Sequence, residues 1–217
     1  MTSTSLRALI FLDVDGVLNH KKWFKSQIPK RGRTEMEYYG SLIDPVAVKN
    51  LNWLVQESDA EIVVSSTWRL RHMDKLPHLL NERGLEDRVV GPTTQAVIID
   101  RTPNIYVDDT PWIRKPEDRP RNYTRFVFER GMEIEHWLRH NRLEQLDEQR
   151  LIIIDDGGDF SRLSPWHIKT SFYKGGLHRC TAEKALRRLQ RARPVGEVLS
   201  KPHKMLTCEG RVEFLYT

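Results

Sequence analysis

Two short apolar runs, LIFL at 9–12 and LIII at 151–154, constrain the fold more than any other feature. Each is short and uninterrupted, as a strand covered on both faces must be. Both runs end in acid. Asp13 and Asp15 follow the first, and Asp155 and Asp156 follow the second, with Asp159 three residues later. Side chains alternate along a strand, so Asp13 and Asp15 are expected on one face with Val14 turned away. Like charges that close raise each other's pKa unless a cation or hydrogen-bond donors sit between them, so the pairing calls for a metal or a shared proton. A plainer reading makes Asp15-Gly16 a turn and nothing more, which leaves Asp13 unexplained. Paired aspartates at the tips of two buried strands form an oxygen-only ligand set, which suits magnesium rather than zinc.

The segment 20–40 follows the first acids and carries six Lys or Arg and no acid up to Arg33, interleaved with Trp23 and Phe24. Basic residues alternating with aromatics suit a surface that holds phosphates and stacks on bases, with Lys21, Lys22, Trp23 and Lys25 as the candidate contacts; a solvated loop is the alternative. Over 44–57, apolar residues at Val46, Val48, Leu51, Leu54 and Val55 predict an amphipathic helix capped by Asp44, with Pro45 in its first turn and Trp53 in the core. EIVVSSTWR at 61–69 reads as a strand ending in hydroxyl residues, and KLPHLLNERGL as a helix with Gly84 at its C-cap.

Residues 91–124 hold five prolines and no sustained period, which predicts an irregular insertion with basic residues from Arg114 to Arg125. RGMEIEHWLRH at 130–140 predicts a short helix with Ile134, Trp137 and Leu138 on one face. Arg130 stands at the start of that helix, where a positive charge is disfavoured and needs a specific partner. A short strand near Ile168, a Gly-Gly turn and a helix from Thr181 close the regular part, and the tail beyond Gln190 reads as a hairpin through Glu209-Gly210 or as an ordered extension.

The chain has 217 residues and a net charge of +5, enough length for a substantial core and a modest tilt towards anionic partners. Cys180 and Cys208 are too few for a disulfide framework or a zinc site. ALIFL is too short for a secretory core, and no stretch approaches the ~20 apolar residues that span a bilayer. A cytoplasmic protein is expected.

FLDVDGVLN, VVSSTWR, RGMEIEHWL and IIIDDGGDF together resemble the four motifs of the haloacid dehalogenase (HAD) superfamily, over about residues 6 to 190. They are most similar to the HAD domains of RNA repair proteins and to the phosphatase half of polynucleotide kinase-phosphatase. The resemblance implies an α/β fold, a doubly wound, mostly parallel sheet with its site at the carboxyl ends of the strands. It implies a domain over 1–190, with a basic flap at 20–40 and a cap-like insertion at 91–124, followed by an extension at 191–217 of no assigned role.

It also implies Asp13 as nucleophile and Asp15 as proton donor and then base. Ser65, with Ser66 and Thr67 as alternatives, and Arg130 would bind the phosphoryl group. Mg2+ would be held by Asp13, the backbone of Asp15, and Asp155 with Asp156. The function implied is a magnesium-dependent phosphomonoesterase acting on nucleotides or nucleic-acid ends, a 3'-phosphate for example. A small-molecule phosphatase and a non-catalytic nucleic-acid-binding module are the alternatives.

Overall fold

β1 (Leu9–Leu12) is buried along its whole length and forms the middle of a five-stranded sheet. β2 (Glu61–Val64) and β4 (Leu151–Asp155) flank it, with β3 (Val89–Pro92) and β5 (His167–Lys169) outside them, giving the order β3-β2-β1-β4-β5. Every pairing is parallel. The computed structural model describes residues 6–26, 35–70, 75–81, 84–85, 88–93, 130–142, 147–158, 160–199, 203–206 and 212–215.

Strand alternation divides the core in two. Ile10 and Leu12 face one side, where α3 (Pro45–Ser58), α4 (Leu76–Asn81) and α6 (Arg179–Arg191) supply Leu51, Leu80 and Ala185. Leu9 and Phe11 face the other, with Ile134, Trp137 and Leu138 of α5 (Arg130–Arg142) and Leu163 and Trp166 of a 3-10 helix (Ser161–Trp166). Phe11 meets Trp137 edge to face, with centroids 5.5 Å apart. The division follows the winding. Helices that precede β2 and β3 cover one face, and those that precede β4 and β5 cover the other, because right-handed crossovers change face when the strand order reverses; α6, which follows β5, returns to the first face. That reversal falls between β1 and β4.

α3 forms where the sequence calls for it. Asp44 caps it by accepting from the Val46 N–H at 2.8 Å, and Pro45 fills the first turn. Its buried face is Ala47, Val48, Asn50, Leu51, Leu54 and Val55, whereas Val46, expected on that face, is 63% exposed. Trp53 is half-buried, and the Arg179 guanidinium lies 3.5 Å from its ring centroid.

Three other segments gain detail. The basic segment after β1, expected as a flap, contains α1 (Lys21–Ser26) and α2 (Glu35–Leu42), joined by the Trp23 indole N–H to Ser41 O at 2.9 Å. β3 was not foreseen, because its Val-Val-Gly-Pro sequence is tolerated only at a sheet edge. Beyond Gln190, Val195 and Leu199 pack into the second core cluster, Leu199 closing α7 (Gly196–Leu199). β6 (His203–Leu206) and β7 (Val212–Leu215) then pair antiparallel as a hairpin. Past Thr93, the insertion read at 91–124 lies outside the described residues, as do Asp159 and the basic residues from 27 to 34. No helix among the described residues is long and apolar enough to cross a membrane.

Candidate active site

The sheet register assembles the site. Leu12 pairs with Ile154 on one side and Val64 on the other, so Asp13, Asp155 and Ser65 leave adjacent strands at the same level. The ladder continues one step past β1, with the Asp13 N–H donating to Ile154 O at 3.0 Å and the Ser65 N–H to Leu12 O at 2.8 Å. The Asp155 carbonyl is held from two directions, by the Thr170 N–H and the His167 ring, both at 3.0 Å. This is the carboxyl edge of a doubly wound sheet at its switch point, where such folds bind ligands.

Asp13, Asp155 and Asp156 converge there, with one oxygen from each carboxylate within 4.8 Å of the others. The first two are buried and the third half-buried. Burial pushes the Asp13 carboxyl up to about 6, against the opposing pull of the Ser66 hydroxyl and the Arg130 charge. Burial together with the neighbouring Asp13 charge pushes Asp155 up to about 7, although the Gly157 N–H and Arg130 stabilise its anion. Three converging carboxylates, with Asp13 and Asp155 both pushed towards their neutral forms, fit a hard divalent cation, which would offset the burial and repulsion that oppose those two charges. Asp13, Asp155 and Asp156 are therefore the residues that can hold a metal.

Gly16 makes the third carboxylate's position accessible. Its φ is +75°, and a Cβ added there would lie 2.1 Å from Asp156 Oδ2. That same oxygen accepts the Phe172 N–H at 3.3 Å, which orients it.

Asp15 stands apart from the three. β1 ends at Leu12 and a turn begins at Asp15, so strand alternation no longer decides where its carboxylate goes. Oδ1 accepts from Asn19 Nδ2 at 2.7 Å and from the Trp68 indole N–H at 3.1 Å, while the Gly16 N–H donates to Asn19 Oδ1 at 3.0 Å. One oxygen is thus fixed by two donors. The residue itself is exposed.

The three hydroxyls after β2 have different settings. Ser65 is buried, and its Oγ has no hydrogen-bond partner among the described residues. Ser66 is buried, bonds the Asp13 carboxylate and accepts the Trp68 N–H at 3.3 Å. Thr67 is exposed. Arg130 has the partners that its place at a helix start requires, with Nη1 3.2 Å from Glu133 Oε2 and Nε 3.9 Å from Asp155 Oδ2.

Of the four candidates on α1, Lys21, Lys22 and Lys25 are exposed, and Trp23 is half-buried by its bond to Ser41. Asn19, Trp68, Glu133 and Thr170 escaped the sequence reading. Asn19 left one signal, its spacing four residues after Asp15 within a single turn.

Residues 9–182 match the family described as the HAD domain in Swiss Army Knife RNA repair proteins. The chain belongs to that family. The match runs from the first residue of β1 into α6, so it takes in all five strands of the HAD sheet and every acid of the site. No curated protein and no solved structure matches the chain.

Proposed function

We propose that this HAD domain hydrolyses phosphomonoesters at nucleic-acid ends through a phosphoenzyme on Asp13. The convergence of Asp13 with Asp155 and Asp156 at the switch point carries this reading, since a nucleophilic carboxylate needs a neighbouring cation to approach a phosphate dianion. Asp13 forms a bond to phosphorus as the bond to the ester oxygen breaks, and Asp15 gives that oxygen its proton. Asp15 then takes a proton from water, which attacks phosphorus and returns Asp13 and inorganic phosphate.

Arg130 binds phosphoryl oxygens from the helix side, anchored by Glu133. Ser65 and Ser66 offer hydroxyls from the β2 side. The unpartnered Ser65 hydroxyl favours it as the donor to phosphate, because Ser66 is already committed to Asp13. Asp13, Asp155 and Asp156 would hold magnesium, whose charge would offset that of the transferring phosphoryl group. The RNA repair family and the lysines of α1 support a nucleic-acid substrate.

The test is phosphate release with magnesium from a 3'-phosphorylated oligonucleotide, a 5'-phosphorylated one, nucleoside monophosphates and an aryl phosphate, with Asp13→Asn as control. Release that depends on Asp13 and is greatest from oligonucleotide ends is expected. Preference for mononucleotides or sugar phosphates would make it a metabolic phosphatase. Oligonucleotide binding without Asp13-dependent release from any ester would leave a binding module.

A further inference from the structure

The stretch between β5 and α6 reads from the sequence only as a Gly-Gly turn, yet it reaches the site directly. The Phe172 N–H donates to Asp156, its carbonyl accepts the Lys21 N–H at 2.9 Å, and its ring lies 5.8 Å from that of Phe24 on α1. Three successive amides, Lys174, Gly175 and Gly176, turn back onto Ser171 O at 3.3, 3.2 and 3.0 Å. Gly176 has φ +68°, and an added Cβ would meet Val17 O at 2.5 Å, so the turn packs hard against the loop that carries Asp13 and Asp15. The Leu177 N–H to Val17 O bond at 2.8 Å fastens it there.

Tyr173 projects from this braced turn and is 75% exposed. A single exposed aromatic is ordinary. This one has two neighbours that favour one orientation of its ring. Its ring stands at 90° to Phe172, with centroids 5.6 Å apart, and the Lys21 ammonium lies 5.1 Å from its centroid over one face. Lys174 follows it in the chain, and Lys22 and Lys25 share the short helix of Lys21, all three exposed; Tyr173 itself is one residue from the amide that contacts the acidic cluster.

We infer that Tyr173, backed by Phe172 and Lys21, stacks on a base of a single-stranded nucleic-acid end while Lys22, Lys25 and Lys174 take backbone phosphates. This rim then selects a polynucleotide end over a small phosphoester. The inference rests on the phosphatase reading of the Asp13 site. The ring is held ready, so little order is lost on binding, and the lysines draw an anionic strand towards a centre that is otherwise acidic. Stacking tolerates any base, which suits repair of ends of arbitrary sequence.

Two measurements test it. In the first, kcat/KM with magnesium is compared for a 3'-phosphorylated tetranucleotide and an aryl phosphate. Tyr173→Ala is expected to lose about tenfold on the tetranucleotide and nothing on the aryl phosphate, and Tyr173→Phe to retain both. Equal losses on both substrates, or none on either, would overturn the platform. In the second, a labelled 3'-phosphorylated tetranucleotide is titrated by anisotropy into Asp13→Asn protein, with and without Tyr173→Ala.

The same tenfold weakening is expected on binding, and unchanged affinity would overturn the platform whether or not the enzyme turns over. Replacing Lys22 and Lys25 together with alanine should lower the slope of log Kd against log salt by about 1.4, and an unchanged slope would remove them from the strand's path. Wild-type protein that releases phosphate from no ester would sink the phosphatase reading alone, because the binding titration still judges Tyr173.

Discussion

Asp13→Asn should make the metal-free protein more stable while abolishing its chemistry. At pH 7.5 the wild-type carboxylate is ionised in both folded and unfolded chains, but the folded site opposes that charge and raises its pKa from 3.8 to about 6. Two units correspond to about 3 kcal/mol of destabilisation above the folded value. Asparagine removes the charge and also relieves Asp155, whose carboxyl Asp13 helps to push up. It keeps an oxygen able to accept from Ser66, and its new N–H faces carboxylate acceptors.

Some of the gain is lost to imperfect hydrogen bonding, so a net of about 1 to 3 kcal/mol is expected, or roughly 2–10 °C in Tm for a chain of this size. The sign follows from proton binding. Between pH 3.8 and about 6 the folded wild type holds a proton that the unfolded chain has released. The advantage of asparagine is therefore full above pH 6 and fades as pH falls towards 3.8. Thermal melts of both proteins in a chelator at pH 7.5 and 4.5 provide the assay, with a magnesium series at pH 7.5. Magnesium should raise the wild-type Tm and leave Asp13→Asn nearly unmoved. An asparagine variant that melts below wild type in chelator at pH 7.5, or whose gain is as large at pH 4.5, would refute the proposed electrostatic strain.

Gly16→Ala should fold with a cost of about 1–2 kcal/mol from its positive φ, and lose most of its magnesium-dependent rise in Tm because Asp156 must move. Trp68→Phe removes one of the two donors to Asp15 Oδ1, so kcat should fall about tenfold with KM and magnesium affinity preserved; a loss confined to KM would place Trp68 in substrate binding. Leu51→Ala should cost about 2–5 kcal/mol in denaturant unfolding, and Val46→Lys less than about 0.5, although both belong to the same apolar pattern.

What could be read in advance was whatever is locally encoded. Continuous apolar runs identified β1 and β4, and an aspartate before a proline identified the start of α3. The acids at the two strand tips marked the carboxylate cluster of the candidate site, because parallel register brings Asp13 and Asp155 together without further information. Val46 failed because a helical period cannot distinguish a first-turn residue beside the cap from one facing the sheet. α1 failed because none of its residues is buried, and its bonds to the rest of the fold run through Lys21 to Phe172, through Trp23 to Ser41 and through the preceding His20 to Asp44. Such contacts, not local propensity, stabilise a six-residue helix. The fixing of Asp15 by Trp68 joins residues 53 apart, a separation at which sequence pattern carries no signal.

Chemical trapping of Asp13 is the most direct test of its role as nucleophile. Turnover of a 3'-phosphorylated oligonucleotide with magnesium is quenched in acid, treated with borohydride, and the peptide containing Asp13 is read by mass spectrometry. An acyl phosphate on Asp13 is reduced to homoserine at that position, and this product, absent without substrate and absent in Asp13→Asn, is the expected result. Phosphate release at full rate with Asp13 recovered only as aspartate, or homoserine appearing at Asp15 or Asp155 instead, would contradict the assignment.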